Sequence, residues 1–141
     1  MPEIRPAAAG DAAAIVALLR QLGYDLDPAA AAALAVELLD DPAHVLLVAV
    51  EDGEVVGFAN ANLRRQLHHL GPVCTLDELV VADGRRSGGI GAALVAELER
   101  VARERGADSL ELTCNRRRAD AHRFYEREGF ERTSFKFAKR P

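Results

Sequence analysis

The sequence predicts a single α/β domain, and three observations support this fold class. The chain has 141 residues, 49% of them hydrophobic, which suffices for one buried core and leaves no room for a second domain. Segments with strand alternation and helical periodicity follow in the order strand, two helices, three strands, helix, strand, helix, strand. No repeat, low-complexity tract or long linker divides them. We expect one domain over residues 1–141, with helices packed on a central sheet.

An opening strand and two helices come first. Ile4 lies in the strand, and after Asp11 apolar residues recur at helical spacing, at Ile15, Leu18, Leu19 and Leu22. Asp27 and Pro28 start a second, alanine-rich helix, because Asp caps a helix and Pro is tolerated in its first turn. That helix is expected to carry three leucines toward the core: Leu34, Leu38 and Leu39.

A hairpin and a central strand follow the helices. Residues 45–50 are apolar and partly β-branched, residues 55–63 resume the strand pattern, and Asp52-Gly53 between them is a turn signal. Residues 73–82 form a further strand that is apolar on successive residues near its end. This last pattern predicts a strand covered on both faces, as in the centre of a sheet.

The second half alternates helix and strand. A long amphipathic helix is indicated by Ile90, Leu94, Val95, Leu98, Val101 and Ala102. Alternation then predicts a strand at Leu110, Leu112 and Cys114, and a short helix carries Ala121, Phe124 and Tyr125. Phe135 and Phe137 alternate in a predicted last strand, whose exposed edge at residues 135–138 could pair across a homodimer.

Composition excludes several classes of protein. With 18 Lys+Arg against 22 Asp+Glu, the formal charge is -4, which argues against a dedicated nucleic-acid binder. No apolar segment approaches the roughly 20 residues of a membrane span. The two cysteines, Cys74 and Cys114, do not make a disulfide framework. We expect a soluble cytoplasmic protein with reduced thiols and neither nucleic-acid nor membrane partners.

A glycine-rich segment joins the central strand to the long helix. Residues 85–91 read Arg-Arg-Ser-Gly-Gly-Ile-Gly. Glycines let main-chain N–H groups approach a ligand closely, and the first N–H groups of a helix are unpaired and lie at its positive end. A P-loop would need Gly-Lys-Ser/Thr at its end, and a dinucleotide fingerprint would need a small residue in place of Leu94. The segment therefore predicts a pyrophosphate-binding site that is neither a P-loop nor a dinucleotide-binding motif.

Two motifs resemble those of the GNAT N-acetyltransferase superfamily. Arg86-x-x-Gly89-x-Gly91, after the strand end at residues 79–81, is similar to its coenzyme A motif. Its second motif is matched by Asn115, Ala121, Phe124-Tyr125 and Gly129-Phe130. The resemblance implies the α/β GNAT fold: a mixed central sheet of about six to seven strands, splayed at the cofactor site and flanked by about four helices.

The same resemblance implies acetyl-CoA as the cosubstrate. The main chain of Leu79, Val80 and Val81 would pair with the pantetheine arm. The pyrophosphate would be held by Arg86, Ser87, Gly88, Gly89, Ile90, Gly91 and Ala92. Asn115, Arg118 and Tyr125 would complete the cofactor site. Arg118 stands where many family members have asparagine, so the resemblance does not fix its contact.

Acetyl transfer needs an unprotonated amine, a donor to the oxyanion and an acid for the departing thiolate. Tyr125 suits the acid, since a phenol stays protonated at pH 7, and family members use a tyrosine at this position. A main-chain N–H near Val81 is the expected oxyanion donor.

For the base we expect Glu78, with Asp77, His68, His69 or a water left as alternatives. Neighbouring residues on a strand point oppositely, which predicts that only one of Asp77 and Glu78 faces the cleft. The two histidines lie in a polar loop with no carboxylate nearby in sequence, so we expect no metal site.

Within the superfamily the C-terminal half resembles the aminoalkylphosphonate acetyltransferases, through Leu67-His68-His69, residues 78–81, residues 120–125 and the ending at residues 135–139. Those enzymes acetylate small amines that bear a phosphonate and are described as using a divalent metal, which would make Arg64, Arg65 and the histidines anion or metal contacts. We expect a small-molecule amine as substrate. A protein N-terminus or lysine is an alternative substrate, and a coenzyme A-binding sensor without catalysis is an alternative of another class.

Overall fold

The structure, a computed structural model, describes residues 2–86 and 88–141. Within those residues five strands and four α-helices alternate along the chain. The strands are β1 (Glu3–Pro6), β2 (His44–Glu51), β3 (Glu54–Arg65), β4 (Pro72–Val81) and β5 (Leu110–Leu112). The helices are α1 (Ala12–Gln21), α2 (Pro28–Leu39), α3 (Ile90–Glu104) and α4 (Ala119–Arg127).

The strands form one mixed sheet in the order β1-β2-β3-β4-β5. The first four are antiparallel neighbours, whereas β5 runs parallel to β4 and is reached through α3. The predicted hairpin is confirmed: Asp52 and Gly53 both adopt positive φ, as a two-residue turn between twisted strands requires. The mixed α/β architecture predicted from the sequence is therefore present.

Helices pack on both faces of the sheet. On one face Ile90, Leu94 and Leu98 of α3 are buried in a cluster with apolar residues of β2, β3 and β4. On the opposite face Ile15 and Leu18 of α1 pack in a second cluster formed by Leu46, Val48, Phe58 and Val80, with Leu38 and Leu39 of α2 beside it. Residues 79–81 divide between the two clusters, which confirms a strand covered on both faces.

Local interactions place the helices as the sequence predicts. The Asp27 carboxylate accepts a hydrogen bond from the Ala30 N–H at 2.9 Å and so caps α2. Asp11, before α1, is buried and instead pairs with Arg5 of β1. Gly23 and Gly129 have positive φ just beyond α1 and α4, where a glycine readily ends a helix.

Two packing predictions are wrong. The last strand does not form: Phe135 and Phe137 are 89% and 92% exposed, and residues 130–141 contain no helix or strand. A strand forms only where its main chain hydrogen-bonds to a neighbouring strand. At the edge of the sheet, β5 pairs with β4 over only three residues. The alternation of Phe135 and Phe137 was therefore not enough to predict a strand. The sheet therefore has five strands instead of six or seven, and pairing of residues 135–138 across a homodimer stays a prediction. Leu34 is 53% exposed, because α2 buries Ala35 and partly Leu38 and Leu39 instead.

In the part of the chain that the structure describes, no helix is both long and apolar enough to cross a membrane.

Candidate active site

The parallel neighbour of β4 covers only the first part of that strand. Pairing with β5 ends at Leu76, whereas β4 continues to Val81 with β3 as its partner. The Ala82 N–H donates to the Val56 carbonyl of β3. Because hydrogen bonding alternates along an antiparallel pair, the main-chain groups of Val80 also point toward β3, and those of Leu79 and Val81 point away from β3. In the part of the chain that the structure describes, no strand pairs with β4 beside residues 79–81, where the resemblance implies an opening in the sheet. The Leu79 main-chain groups and the Val81 N–H face this edge.

A glutamine that the sequence analysis did not single out reaches this edge from α1. Gln21 donates from Nε2 to the Val81 carbonyl at 3.0 Å and accepts from the Asp83 N–H at 2.9 Å. The first of these hydrogen bonds agrees with a Val81 carbonyl that points away from β3. Gln21 thereby fixes the end of β4 to α1.

The N-terminus of α3 lies directly beyond β4. Gly89 precedes it with a φ of 81°, a left-handed conformation that glycine adopts at little cost. The first helical bond is from the Ala93 N–H to the Gly89 carbonyl, so the N–H groups of Ile90, Gly91 and Ala92 have no acceptor inside the helix. Three predicted pyrophosphate ligands thus direct N–H groups outward from the positive end of a 15-residue helix.

The rest of the predicted phosphate loop is exposed. Arg86 forms an exposed ion pair with Asp83 at 3.3 Å, while Arg85 is held by Glu51 of β2 at 2.7 Å. Gly88 is exposed as well. Ser87, also predicted to contact the cofactor, lies outside the described residues. Of the two arginines, Arg86 has the weaker competing partner for an incoming phosphate.

Gly91 is where three parts of the predicted site meet. A β-carbon there would stand 3.2 Å from the Phe124 ring of α4 and 3.8 Å from a methyl group of Val81 in β4. The absence of a side chain lets α4 approach the first turn of α3 this closely. The contact of Phe124 with Gly91 also fixes where the next residue, Tyr125, lies with respect to the phosphate loop and the open edge of β4.

Tyr125 is partly buried against the α3-side core, with its ring edge-to-face to Phe124 and Phe130 at centroid distances of 5.2 and 5.7 Å. Burial raises the pKa of its phenol, with Cys114 adding to the shift and the Arg118 guanidinium opposing it. The phenol therefore stays protonated at neutral pH. Tyr125 and Cys114 also line a cavity of about 1260 Å³ between β5, α4 and the C-terminal segment.

Asn115 and Arg118 shape the turn before α4. The Asn115 side-chain oxygen accepts from the Arg117 N–H at 2.9 Å, and its carbonyl accepts from the Arg118 N–H at 3.0 Å. His122 also contacts that carbonyl at 2.9 Å. The Asn115 side chain thus orders the turn, and Arg118 is exposed at the start of the helix that carries Tyr125.

The two acidic residues of β4 share one face of the sheet, which corrects the expectation that only one could face the cleft. Asn60 donates to the Glu78 Oε1 at 2.6 Å, and Asn62 donates to the Asp77 Oδ2 at 2.8 Å. The ladder shifts here, so that Asn60 opposes Glu78 while Ala61 opposes Leu76. Asp77 is the extra residue of a β-bulge, and a bulge interrupts side-chain alternation.

His68 and His69 lie at the other end of β4. They precede Pro72, and Glu78 lies six positions further along the strand, roughly 20 Å away. His69 Nδ1 is 3.8 Å from the Asp108 carboxylate, outside the cleft. Over residues 2–86 and 88–141, no three His, Cys, Asp or Glu side chains are grouped closely enough to hold a metal ion.

Asn60 is a second residue that the sequence analysis missed. It is only 6% exposed, and its side-chain oxygen lies 3.5 Å from Nδ1 of His44 on β2. A signal was present, since Asn60 and Asn62 alternate within the apolar stretch of residues 55–63 and must project from the same face. A buried polar side chain such as that of Asn60 requires a partner, and Glu78 provides it.

The fold and the site together define an acetyltransferase. The model of the Acetyltransferase (GNAT) family matches residues 13–130. This chain belongs to that family and is an acetyl-CoA-dependent N-acetyltransferase.

Named relatives place it among enzymes that modify amines. An aminoalkylphosphonate N-acetyltransferase of Salmonella typhimurium is 40% identical over 97% of this chain and 90% of its own length. An aminoglycoside N(6')-acetyltransferase type 1 of Stenotrophomonas maltophilia is 33% identical over 94% and 88%.

Solved structures agree on the fold. The aminoglycoside N-acetyltransferase AAC(6')-Iy, in complex with CoA, has a TM-score of 0.91 at 22% identity, over 100% of this chain and 95% of that one. A ribosomal-protein-alanine N-acetyltransferase of Brucella melitensis has a TM-score of 0.83 at 26% identity, over 99% of both chains.

Proposed function

We propose that this enzyme transfers the acetyl group of acetyl-CoA to the primary amine of a small molecule by direct attack on the thioester. The observation that carries the proposal is the meeting of three parts at Gly91: the open end of β4, the N-terminus of α3 and the helix of Tyr125. A diphosphate on that helix end would leave its acyl arm running along the open edge of β4.

The residues present fit acetyl-CoA. The N–H groups at the start of α3 that have no acceptor inside the helix suit a pyrophosphate, with Arg86 and the Gly88-Gly89 segment beside them. The Leu79 main-chain groups and the Val81 N–H face away from β3 and suit the amides of a pantetheine arm, as a further strand would, while the Val81 carbonyl is bonded to Gln21. Asn115 would support the cofactor side by ordering the turn before α4, with Arg118 exposed toward it.

In the proposed mechanism Glu78 accepts a proton from the acceptor ammonium, directly or through a water, and the freed amine attacks the acetyl carbonyl carbon. A main-chain N–H near Val81 donates to the carbonyl oxygen while that oxygen carries negative charge. The carbon–sulfur bond then breaks, and Tyr125 gives its phenolic proton to the thiolate. The nitrogen of the new amide gives up its surplus proton through water, and that proton restores the Tyr125 phenol. Glu78 is favoured over the histidines because it lies beside the cofactor end of β4.

An aminoalkylphosphonate is the acceptor that we propose within this class. The 40% identical Salmonella relative bears that name. In this chain Arg64 lies on the same face of β3 as Asn60 and Asn62, two positions beyond the carboxylate contacts. An amine at Glu78 and an anionic group at Arg64 would match both ends of such a substrate.

The test is a thiol-release assay with acetyl-CoA and a matched panel of amines: aminomethylphosphonate, 1-aminoethylphosphonate, the corresponding alkylamines, an aminoglycoside and an alanine-initiated peptide. We expect turnover of the phosphonates to exceed that of the alkylamines. Arg64→Ala should raise KM for the phosphonates and not for an alkylamine, whereas Arg65→Ala, on the opposite face, should change neither.

The other outcomes identify the alternatives. Preference for the peptide would contradict a small-molecule acceptor and favour protein acetylation. Preference for the aminoglycoside would retain the reaction and contradict the phosphonate. Tight CoA binding with no turnover on any amine would favour a sensor that has lost catalysis.

A further inference from the structure

The contact between Asn60 and Glu78 is built into the ladder between β3 and β4. The two residues are direct register partners, and Asn60 Nδ2 lies 2.6 Å from Glu78 Oε1. Asn60 is buried, so its amide exchanges little with water, while Glu78 is partly exposed toward the cleft. The strand pairing therefore sets both the distance and the direction of this hydrogen bond.

An amide suits the support of a basic carboxylate. Its N–H donates to one carboxylate oxygen and restricts rotation of the group, yet it carries no charge and does not take up the proton. The other carboxylate oxygen is left to meet the acceptor amine. His44 Nδ1 lies 3.5 Å from the Asn60 oxygen. In the tautomer that carries its proton on Nδ1, His44 donates to that oxygen and favours the orientation in which the Asn60 nitrogen faces Glu78.

The chain carries a comparison pair one step along the same strands. Asn62 contacts Asp77 at 2.8 Å in the same donor-to-carboxylate arrangement. Asp77 is exposed and is the extra residue of the bulge, whereas Glu78 is the last acidic residue before the cofactor edge at residues 79–81. The two pairs share their chemistry and differ in their distance from the reacting groups.

We infer that Asn60 is a positioning residue, which holds the Glu78 carboxylate toward the acceptor amine, whereas Asn62 contacts Asp77 and does not position the base. This inference rests on the proposed role of Glu78 as the base. Acting through Glu78, Asn60 should affect the chemical step and leave the binding of acetyl-CoA alone.

Four variants test the inference in steady-state assays: Asn60→Ala, Asn62→Ala, Glu78→Gln and the double variant Asn60→Ala/Glu78→Gln. Glu78→Gln should lower kcat about 100-fold or more. Asn60→Ala should lower kcat about 10-fold with KM for acetyl-CoA within about twofold, because a lost hydrogen bond to a charged group is worth that much. In Asn62→Ala, kcat measured with saturating acceptor should stay within about twofold of the parent enzyme, because Asn62 contacts Asp77 and not the base.

The double variant separates positioning from a structural effect. If Asn60 acts through Glu78, removing it from Glu78→Gln should cost little further activity. Full multiplication of the two losses would overturn the inference, as would equal kcat for Asn60→Ala and Asn62→Ala while Glu78→Gln is slow. A normal rate for Glu78→Gln would instead contradict the proposed base.

If Asn60→Ala folds poorly, Asn60→Asp keeps the size of the side chain and replaces the donor by an acceptor. It should lose at least as much kcat at neutral pH while still binding CoA with the affinity of the parent. An Asn60→Asp enzyme with the parent kcat would overturn the inference.

Discussion

Gly57 of β3 and Ile90, the first residue of α3, approach so closely that a β-carbon on Gly57 would stand 2.9 Å from Ile90 Cγ2. The same β-carbon would lie 3.1 Å from a methyl group of Leu94. Because Ile90 also begins the proposed pyrophosphate seat, the fit of this helix against the sheet sets where that seat lies.

Gly57→Ala should therefore destabilise the protein and weaken CoA binding together. Overpacking of this kind costs about 1–3 kcal/mol, and displacement of Ile90 would move the N–H groups that follow it. Urea denaturation and CoA titration measure the two effects. Gly10→Ala, where a β-carbon meets no atom within 4 Å, is the control and should change neither. A Gly57→Ala protein as stable as the parent would contradict the packing described.

Tyr125→Phe should lower kcat about 100-fold and leave KM for acetyl-CoA within about twofold, since it removes the proposed proton donor and keeps the ring. Tyr24, the other tyrosine of the chain, is 55% exposed, so Tyr24→Phe is the matched control. An unchanged rate in Tyr125→Phe would remove Tyr125 from the mechanism.

The pH profile offers a separate check on Tyr125. Burial raises the pKa of its phenol above the ordinary value of 10.0, so the acid form persists as the pH rises. The alkaline side of the kcat profile should show no loss from Tyr125 near pH 8, and the profiles of parent and Tyr24→Phe should coincide. A fall in kcat near pH 8 that disappears in Tyr125→Phe would contradict this expectation.

Asp11→Asn should reduce the free energy of unfolding by about 2 kcal/mol at pH 7, because Asp11 is buried and accepts from Arg5 at 2.8 and 3.0 Å. The hydrogen bond from Arg5 lowers the pKa of the Asp11 carboxyl below 3.8. Its stabilisation is thus fully present well above pH 3.8 and is lost as the pH falls through the lowered value. Urea denaturation at several pH values should show the difference from the parent shrinking in acid, while Asp25→Asn, in an exposed loop, should match the parent throughout.

One thiol should react in the native protein. Burial raises the pKa of Cys74 to about 11, with Asp77 adding to the shift, so almost no thiolate is present at pH 8. Cys114 lines the cavity beside Tyr125. Alkylation at pH 8 should label Cys114, be slowed by CoA, and reach both cysteines only in urea. Labelling of native Cys114→Ser would contradict the burial of Cys74.

Periodicity predicted the parts of this fold that depend on which face is buried. The α3 stripe and the β2–β3 hairpin follow directly from apolar spacing and a turn pair, because burial decides both. The glycines at residues 88–91 also marked the helix start, since their conformation is a local property.

Features that depend on a partner were not predictable in the same way. The bulge at Asp77 arises from how β4 pairs with β3, so its effect on side-chain direction is invisible in a list of residues. The segment with Phe135 and Phe137 has strand alternation and no ladder. Asn60 acquires its contact with Glu78 only through the register of the two strands.

A crystal structure of the enzyme with CoA tests the central claim most directly. The diphosphate should lie within hydrogen-bond distance of the main-chain N–H groups of Ile90, Gly91 and Ala92, with the pantetheine arm along residues 79–81. Its sulfur should lie next to the Tyr125 hydroxyl. A diphosphate bound away from the start of α3, or a sulfur remote from Tyr125, would contradict the account.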